Sequence, residues 1–221
     1  MSTQTWSEVD TLLEANLIPA DSALDWALKS SAQAGLPAIH VSPAQGKLLH
    51  LLARSQGARR ILEIGTLGGY SSIWLGRALP PNGKLLTLEL DPESARLARA
   101  HLAYAGLESV AEVKVGPALE SLAQLAANPP LPFDFFFIDA DKANNPGYFR
   151  YALQLSRPGS IIIVDNVVRR LTSDADPKDP HVIGVRRLLE DLKAEKRVSA
   201  TVIQTVGSKG YDGFAYILVL K

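Results

Sequence analysis

Phe133-Asp134-Phe135-Phe136-Phe137-Ile138 runs straight into Asp139-Ala140-Asp141-Lys142, and Ser160-Ile161-Ile162-Ile163-Val164 runs straight into Asp165-Asn166. Both apolar runs are short and nearly unbroken. That is the pattern of strands buried on two faces, as in a parallel sheet covered by helices. Further β-type runs fall at 60–64, 84–90 and 111–115. Helix-type stretches lie between them, around 71–79, 93–104, 119–126 and 146–155. Strands alternating with helices indicate βαβ units, an α/β fold with helices on both faces.

The two ends differ from this middle. Trp6, Val9, Leu12 and Leu13 recur at helical spacing, and Leu24, Trp26 and Leu28 follow suit. Asp21 is placed to cap the second helix, and Ser42-Pro43 to open a third that stops near Gly57. At the other end, a helix near 182–193 precedes strands at 198–206 and 214–220, joined by a turn at Gly207-Ser208-Lys209-Gly210. Such a pair is expected to be antiparallel. The 173–180 stretch reads as an exposed loop with solvated acids. One domain over 1–221, with 1–57 as an N-terminal helical cap, is the simplest organisation.

Composition narrows the function. The chain has 221 residues, with 23 Lys plus Arg against 23 Asp plus Glu, hence a formal net charge of zero. A broad basic footprint for nucleic acid is not expected. There is no cysteine, which excludes disulfides, thiolate nucleophiles and Cys-ligated metals. No run approaches the roughly 18–20 consecutive apolar residues of a membrane span. The first residues lack the basic and apolar regions of a signal peptide. A soluble, cytoplasmic protein that engages neither membrane nor nucleic acid is the expectation.

Glu63-Ile64-Gly65-Thr66-Leu67-Gly68-Gly69-Tyr70-Ser71 follows a strand and opens a helix. A glycine-rich turn there lets backbone N–H groups approach a ligand, and the helix N-terminus favours an anionic group. The dinucleotide pattern G-x-G-x-x-G requires Gly at 67 and 70, where Leu67 and Tyr70 stand, and no P-loop lysine follows. Glu89 closes the next strand, where an acid can accept both ribose hydroxyls of an adenosine-type ligand. Singly, the glycines could serve only a turn and Glu89 only a loop cap. In this order, on these elements, they point to a ligand.

Strand C-terminal ends of an open parallel sheet line one crevice. Asp139, Asp165 and Asn166 are therefore expected to face the same place as the glycine loop. Three oxygen donors suit a hard cation. His40, His50, His101 and His181 are scattered and show no metal-type spacing, so each reads as structural or superficial.

These residues resemble the cation-dependent O-methyltransferases, the family of catechol and caffeoyl-CoA O-methyltransferases, and among them bacterial members acting on phenols. The resemblance runs over nearly the whole chain. Its most specific parts are Phe137-Ile138-Asp139-Ala140-Asp141-Lys142 and Asp165-Asn166; Val41-Ser42-Pro43-Ala44-Gln45-Gly46, the glycine loop and Arg157-Pro158-Gly159 also match. The resemblance implies a Rossmann-like methyltransferase fold, with a mostly parallel seven-stranded sheet and a C-terminal antiparallel pair. It implies S-adenosylmethionine held by Glu63, Gly65, Thr66 and Ser71 at its methionine end, with Val41 nearby. Glu89 would take the ribose, Ala118 the adenine, and Asp139 and Asp141 would lie close to the donor. Asp139, Asp165 and Asn166 match the ligands of a divalent cation, magnesium first, with manganese or calcium as substitutes. Lys142 matches the catalytic base. The expected partner is a small phenolic acceptor, and the expected assembly a homodimer.

Two segments depart from the plant-type pattern. Asn166 is followed by Val167-Val168-Arg169-Arg170, and the C-terminal hairpin carries Gly207-Ser208-Lys209-Gly210-Tyr211-Asp212-Gly213-Phe214. Both would border the acceptor and argue against a coenzyme A ester. The leading expectation is methylation of one hydroxyl of a vicinal dihydroxy aromatic. The alternatives are the same chemistry on a coenzyme A ester or a modified RNA base, and a non-catalytic nucleotide-binding protein.

Overall fold

The computed structural model describes residues 2–172 and 175–221. Three helices come first: α1 (Thr3–Leu17), α2 (Ser22–Gln33) and α3 (Pro43–Gln56). Each is opened by a side chain that satisfies a first-turn N–H. Ser2 accepts from Thr5, Asp21 from Ala23 and Leu24, and Ser42 from Gln45. Gly57 closes α3 at φ +72°, a left-handed conformation that glycine adopts without a Cβ clash. Much of the apolar stripe of α1 is exposed. Val9, Leu12, Leu13 and Leu17 are exposed, and the helix has no buried residue.

The alternating part follows: β1 (Arg60–Ile64), α4 (Tyr70–Ala78), β2 (Lys84–Glu89), α5 (Pro92–Tyr104), β3 (Ala111–Val115), α6 (Ala118–Ala127) and β4 (Phe133–Ile138). A single 3-10 turn, Lys142–Asn144, leads into α7 (Asn145–Gln154). Then come β5 (Ser156–Val164), α8 (Pro180–Ala194), β6 (Val198–Gly207) and β7 (Gly210–Val219). The seven strands are ordered β3-β2-β1-β4-β5-β7-β6. β1 with β2, β2 with β3 and β4 with β5 run parallel, whereas β7 runs antiparallel to β5.

Contacts divide the chain into two compact units. The first comprises residues up to Pro117 with Gly207–Gly210, and the second Ala118–Val206 with Tyr211–Lys221. In the first, Leu62 stands beside Leu86, and Thr87 beside Val113. Ile61, Leu62, Ile64, Ile73, Leu75, Leu85 and Leu88 form its core. In the second, Ile138 pairs with Val164, and Phe135, Phe136 and Phe137 are fully buried. Each such side chain contributes about 1.5–3 kcal/mol of burial, and this dry sheet centre holds the strand tips that follow it.

Three differences from the sequence reading have physical causes. β5 begins at Ser156, not near 160, because Arg157-Pro158-Gly159 bulges out of an otherwise continuous strand. The register with β4 shifts between Phe133 and Phe135, and Gly159 has φ +88°. Ser160 Oγ bridges the irregularity, accepting from Arg157 N–H and donating to the Phe133 carbonyl. β7 begins at Gly210, which shortens the connection to Ser208-Lys209. In the 173–180 stretch, Ser173 and Asp174 lie outside the described residues. Asp179 is not merely solvated: it caps α8 through His181 N–H and pairs with Arg170 at 3.1 Å. Among the described residues, no helix is long and apolar enough to cross a membrane.

Candidate active site

In the first unit the chain leaves β1 at Glu63-Ile64 and turns sharply through Gly65 (φ +95°), Leu67 (φ +50°) and Gly69 (φ +78°) into α4. Leu67 occupies the position where the dinucleotide pattern requires glycine. A leucine held in the left-handed region costs on the order of 1–2 kcal/mol, so neighbouring groups must hold it. Glu89, at the end of β2, does so. Its Oε2 accepts from Thr66 N–H at 3.1 Å and Leu67 N–H at 2.7 Å, and its Oε1 accepts from Asp91 N–H at 2.9 Å. The carboxylate read from sequence as a ribose acceptor thus also shapes the loop.

Glu63 is fully buried. Its carboxylate accepts from the hydroxyls of Ser71, at 2.6 Å, and Ser72. That bond pair ties the start of α4 to the end of β1. Thr66 is buried, and its hydroxyl meets that of Thr87. Gly69 stands at the N-cap of α4 and offers no capping side chain, and a helix N-terminus is a place that favours an anion. Val41 is buried just before α3, its carbonyl 3.0 Å from His40 Nδ1. Val41, Glu63, Gly65, Thr66, Ser71 and Glu89 all belong to this unit.

Ala118, Asp139, Asp141, Lys142, Asp165 and Asn166 belong to the second unit. Ala118 is the first residue of α6. Asp139 and Asp165 directly follow β4 and β5, whose last residues pair. The ladder continues one step, from Asp165 N–H to the Ile138 carbonyl at 2.9 Å. The two aspartates therefore leave adjacent strands side by side. Asp165 is buried, and its Oδ1 accepts from Asn166 N–H at 2.8 Å. Asn166 has φ +55°, a left-handed conformation that asparagine tolerates better than most residues.

Lys142 is 6% exposed, and its Nζ lies 2.8 Å from Asp139 Oδ1. A buried lysine needs such a partner. Asp141 has other partners. Its Oδ1 accepts from Tyr148 Oη at 2.5 Å and its Oδ2 from Asn144 at 2.6 Å. Burial and the adjacent Asp141 carboxylate hold the Tyr148 phenol well above its ordinary pKa.

Among the described residues, no group of three His, Cys, Asp or Glu side chains is arranged to hold a metal. The sequence-derived set is two carboxylates and one amide. Carboxylate and amide oxygens are the donors that magnesium and calcium take, and these three residues stand at neighbouring strand ends. The donor chemistry fits a hard cation.

Residues 20–214 match the family described as O-methyltransferase. The chain belongs to the O-methyltransferase family. A catechol O-methyltransferase from Mycobacterium tuberculosis is 49% identical over 212 residues, spanning 96% of this chain and 95% of that protein. An O-methyltransferase from Bacillus cereus, solved in complex with SAH, is similar with a TM-score of 0.95 at 53% identity, over 99% of this chain and 100% of that one. The O-methyltransferase TomG from Streptomyces achromogenes, involved in tomaymycin synthesis and solved with SAM, also gives 0.95, at 49% identity over all of both chains.

Sequence reading did not single out three residues that support this O-methyltransferase's second unit. His181 Nδ1 accepts from Lys142 N–H at 3.2 Å. Gly184 of α8 lies so close that a Cβ there would meet the Lys142 carbonyl at 2.1 Å. Asp212 Oδ1 accepts from Val168 and Arg169 N–H, and its Oδ2 lies 3.0 Å from Arg169 Nε. Val167 N–H donates to Gly213 at 3.0 Å. Asp212-Gly213 thereby fixes the segment that leaves Asn166. Gly184, a glycine inside a helical pattern, left a signal in the sequence, and Asp212 lies in the hairpin segment that departs from the plant-type pattern.

Proposed function

We propose that the protein transfers the methyl group of S-adenosylmethionine to one hydroxyl of a vicinal dihydroxy aromatic, with a divalent cation held by Asp139, Asp165 and Asn166. The observation that carries this reading is the pairing of β4 with β5. It brings Asp139 beside Asp165, and the turn after β4 holds the buried Lys142 against Asp139. The relatives support the donor, since two similar enzymes were solved with SAH and SAM. The catechol O-methyltransferase relative supports the acceptor class.

In this reading Gly65, Thr66, Ser71 and Glu63 hold the methionine end of the donor, and the uncapped start of α4 faces its carboxylate. Glu89 takes the ribose. Val41, Ala118, Asp139 and Asp141 complete the contacts. When bound, the cation supplies positive charge that acidifies a phenol and disfavours the ammonium form of a neighbouring lysine. A neutral phenol, with pKa about 10, is a poor nucleophile. Lys142 Nζ removes the hydroxyl proton. The phenol oxygen attacks the methyl carbon, the C–O bond forms as the S–CH₃ bond breaks, and the bonding electron pair returns to sulfur. Orientation supplies much of the acceleration, because the sulfonium is already reactive.

The acceptor is a small soluble phenol, and the enzyme works in the cytoplasm as a homodimer. The exposed apolar stripe of α1 supports pairing of two copies. The test is incubation with methyl-labelled donor and a panel of catechols, monophenols and coenzyme A esters. Label is expected in the catechols and little in the monophenols. Transfer to none of them removes the reading.

A further inference from the structure

We propose that His101 is a positioning residue for the methyl-donor loop, although it touches neither donor nor acceptor. This rests on reading the glycine loop as the donor site. His101 lies on α5 and is completely buried. Its Nδ1 is 2.7 Å from the Gly68 carbonyl, and its Nε2 faces Ser30 Oγ on α2. Trp26 packs edge-on against the ring, with centroids 4.6 Å apart.

Hydrogen counting assigns the ring. A carbonyl only accepts, so Nδ1 carries a hydrogen and donates to Gly68. Ser30 Oγ also lies 2.7 Å from the Trp26 carbonyl, and a hydroxyl has one hydrogen to give. Either Ser30 donates to Nε2 of a neutral ring, or Nε2 carries a second hydrogen and donates to Ser30. In both cases the bond to Gly68 persists.

The loop needs this bond. Residues 66–68 contain the left-handed Leu67, and Gly69 follows at φ +78°. Glu89 holds the N–H groups of Thr66 and Leu67. His101 holds the carbonyl of Gly68. Gly68 also packs so tightly on α2 that a Cβ would meet Ser31 Oγ at 2.2 Å. Two side chains from different elements thus grip three consecutive residues from their donor and acceptor sides. A loop preorganised in this way binds its ligand without paying to order it.

Two conservative variants separate the bonds. In His101→Asn the amide nitrogen falls near the Nδ1 position and keeps the donor to Gly68. In His101→Gln it falls near Nε2 and keeps only the Ser30 side. Both are polar and smaller than or similar to histidine. S-adenosylhomocysteine affinity is read by calorimetric titration, and KM for S-adenosylmethionine and kcat from initial rates. His101→Gln is expected to weaken donor affinity by about 3- to 10-fold, the scale of one hydrogen bond. KM for the donor should rise with kcat nearly unchanged, while His101→Asn stays close to the native protein. Equal donor affinity in the two variants, whether both native-like or both weakened, overturns the proposal. A native protein that binds neither form of the donor removes instead the reading of the loop as the donor site.

Discussion

Lys142 Nζ lies 2.8 Å from Asp139 Oδ1, and both side chains are largely shielded from solvent. One residue is the expected base and the other an expected cation ligand. Lys142→Ala should leave donor binding intact and lower kcat by roughly 10²–10⁴-fold, the scale of a lost general base. Lys142→Arg should not restore the rate, because guanidinium stays protonated. Steady-state kinetics with catechol, alongside calorimetric donor titration, make the comparison. Near-native turnover by Lys142→Ala would remove Lys142 from the mechanism.

Glu89→Ala should weaken donor affinity far more than acceptor affinity. It deprives Thr66 and Leu67 N–H of their acceptor. Hydrogen bonds to a charged group contribute about 1.5–3 kcal/mol, so denaturant unfolding should also show a loss of stability. Unchanged affinity for S-adenosylhomocysteine would contradict the assignment.

Replacing a helix-interior glycine by alanine ordinarily stabilises by roughly 0.5–1 kcal/mol. Gly184→Ala should do the reverse. The new Cβ would meet the Lys142 carbonyl at 2.1 Å and Ala143 Cα at 2.8 Å, both backbone atoms. The turn carrying Lys142 must shift, and kcat should fall together with the melting temperature. A melting temperature raised above native, with full activity, would show that α8 has freedom the packing denies.

Asp21 caps α2 and pairs with Arg77 of α4. Partial burial would raise its pKa, but the Arg77 hydrogen bond and the α2 N–H groups outweigh it and leave the pKa below the ordinary carboxylate value. A carboxyl with a depressed folded-state pKa stabilises the fold above its unfolded pKa, and this is lost as pH falls through the folded value. Asp21→Asn keeps a good cap and loses the ion pair. It should cost about 0.5–1 kcal/mol at neutral pH. That difference should vanish in acid. Urea unfolding of both proteins across pH 7 to 3 is the check. A difference that grows toward acid would contradict the sign.

Much of this molecule was legible in sequence because local signals agreed. Pro43, Ser42 and Gly57 bound α3 as expected, and the unbroken apolar runs at Phe135–138 and Ile161–164 are buried strands. The bulge at Arg157-Pro158-Gly159 was hidden, since Pro and Gly there mimic a strand start. The tips Asp139 and Asp165-Asn166 stood out because acids follow two buried strands in turn; a single aspartate after one strand is an ordinary turn residue. The supports were not. His101, His181 and Asp212 act through contacts between residues distant in sequence, and nothing adjacent to them marks the partner.

Methylation of a catechol should depend on a bound divalent cation. The enzyme is stripped with chelator, metal content is verified by elemental analysis, and transfer of labelled methyl to a catechol is measured. Activity should fall to near background and return with added magnesium or manganese. In Asp165→Ala the protein should fold, bind donor, and remain inactive with or without added metal. Full activity in the verified metal-free native enzyme would contradict the account and identify a metal-independent methyltransferase.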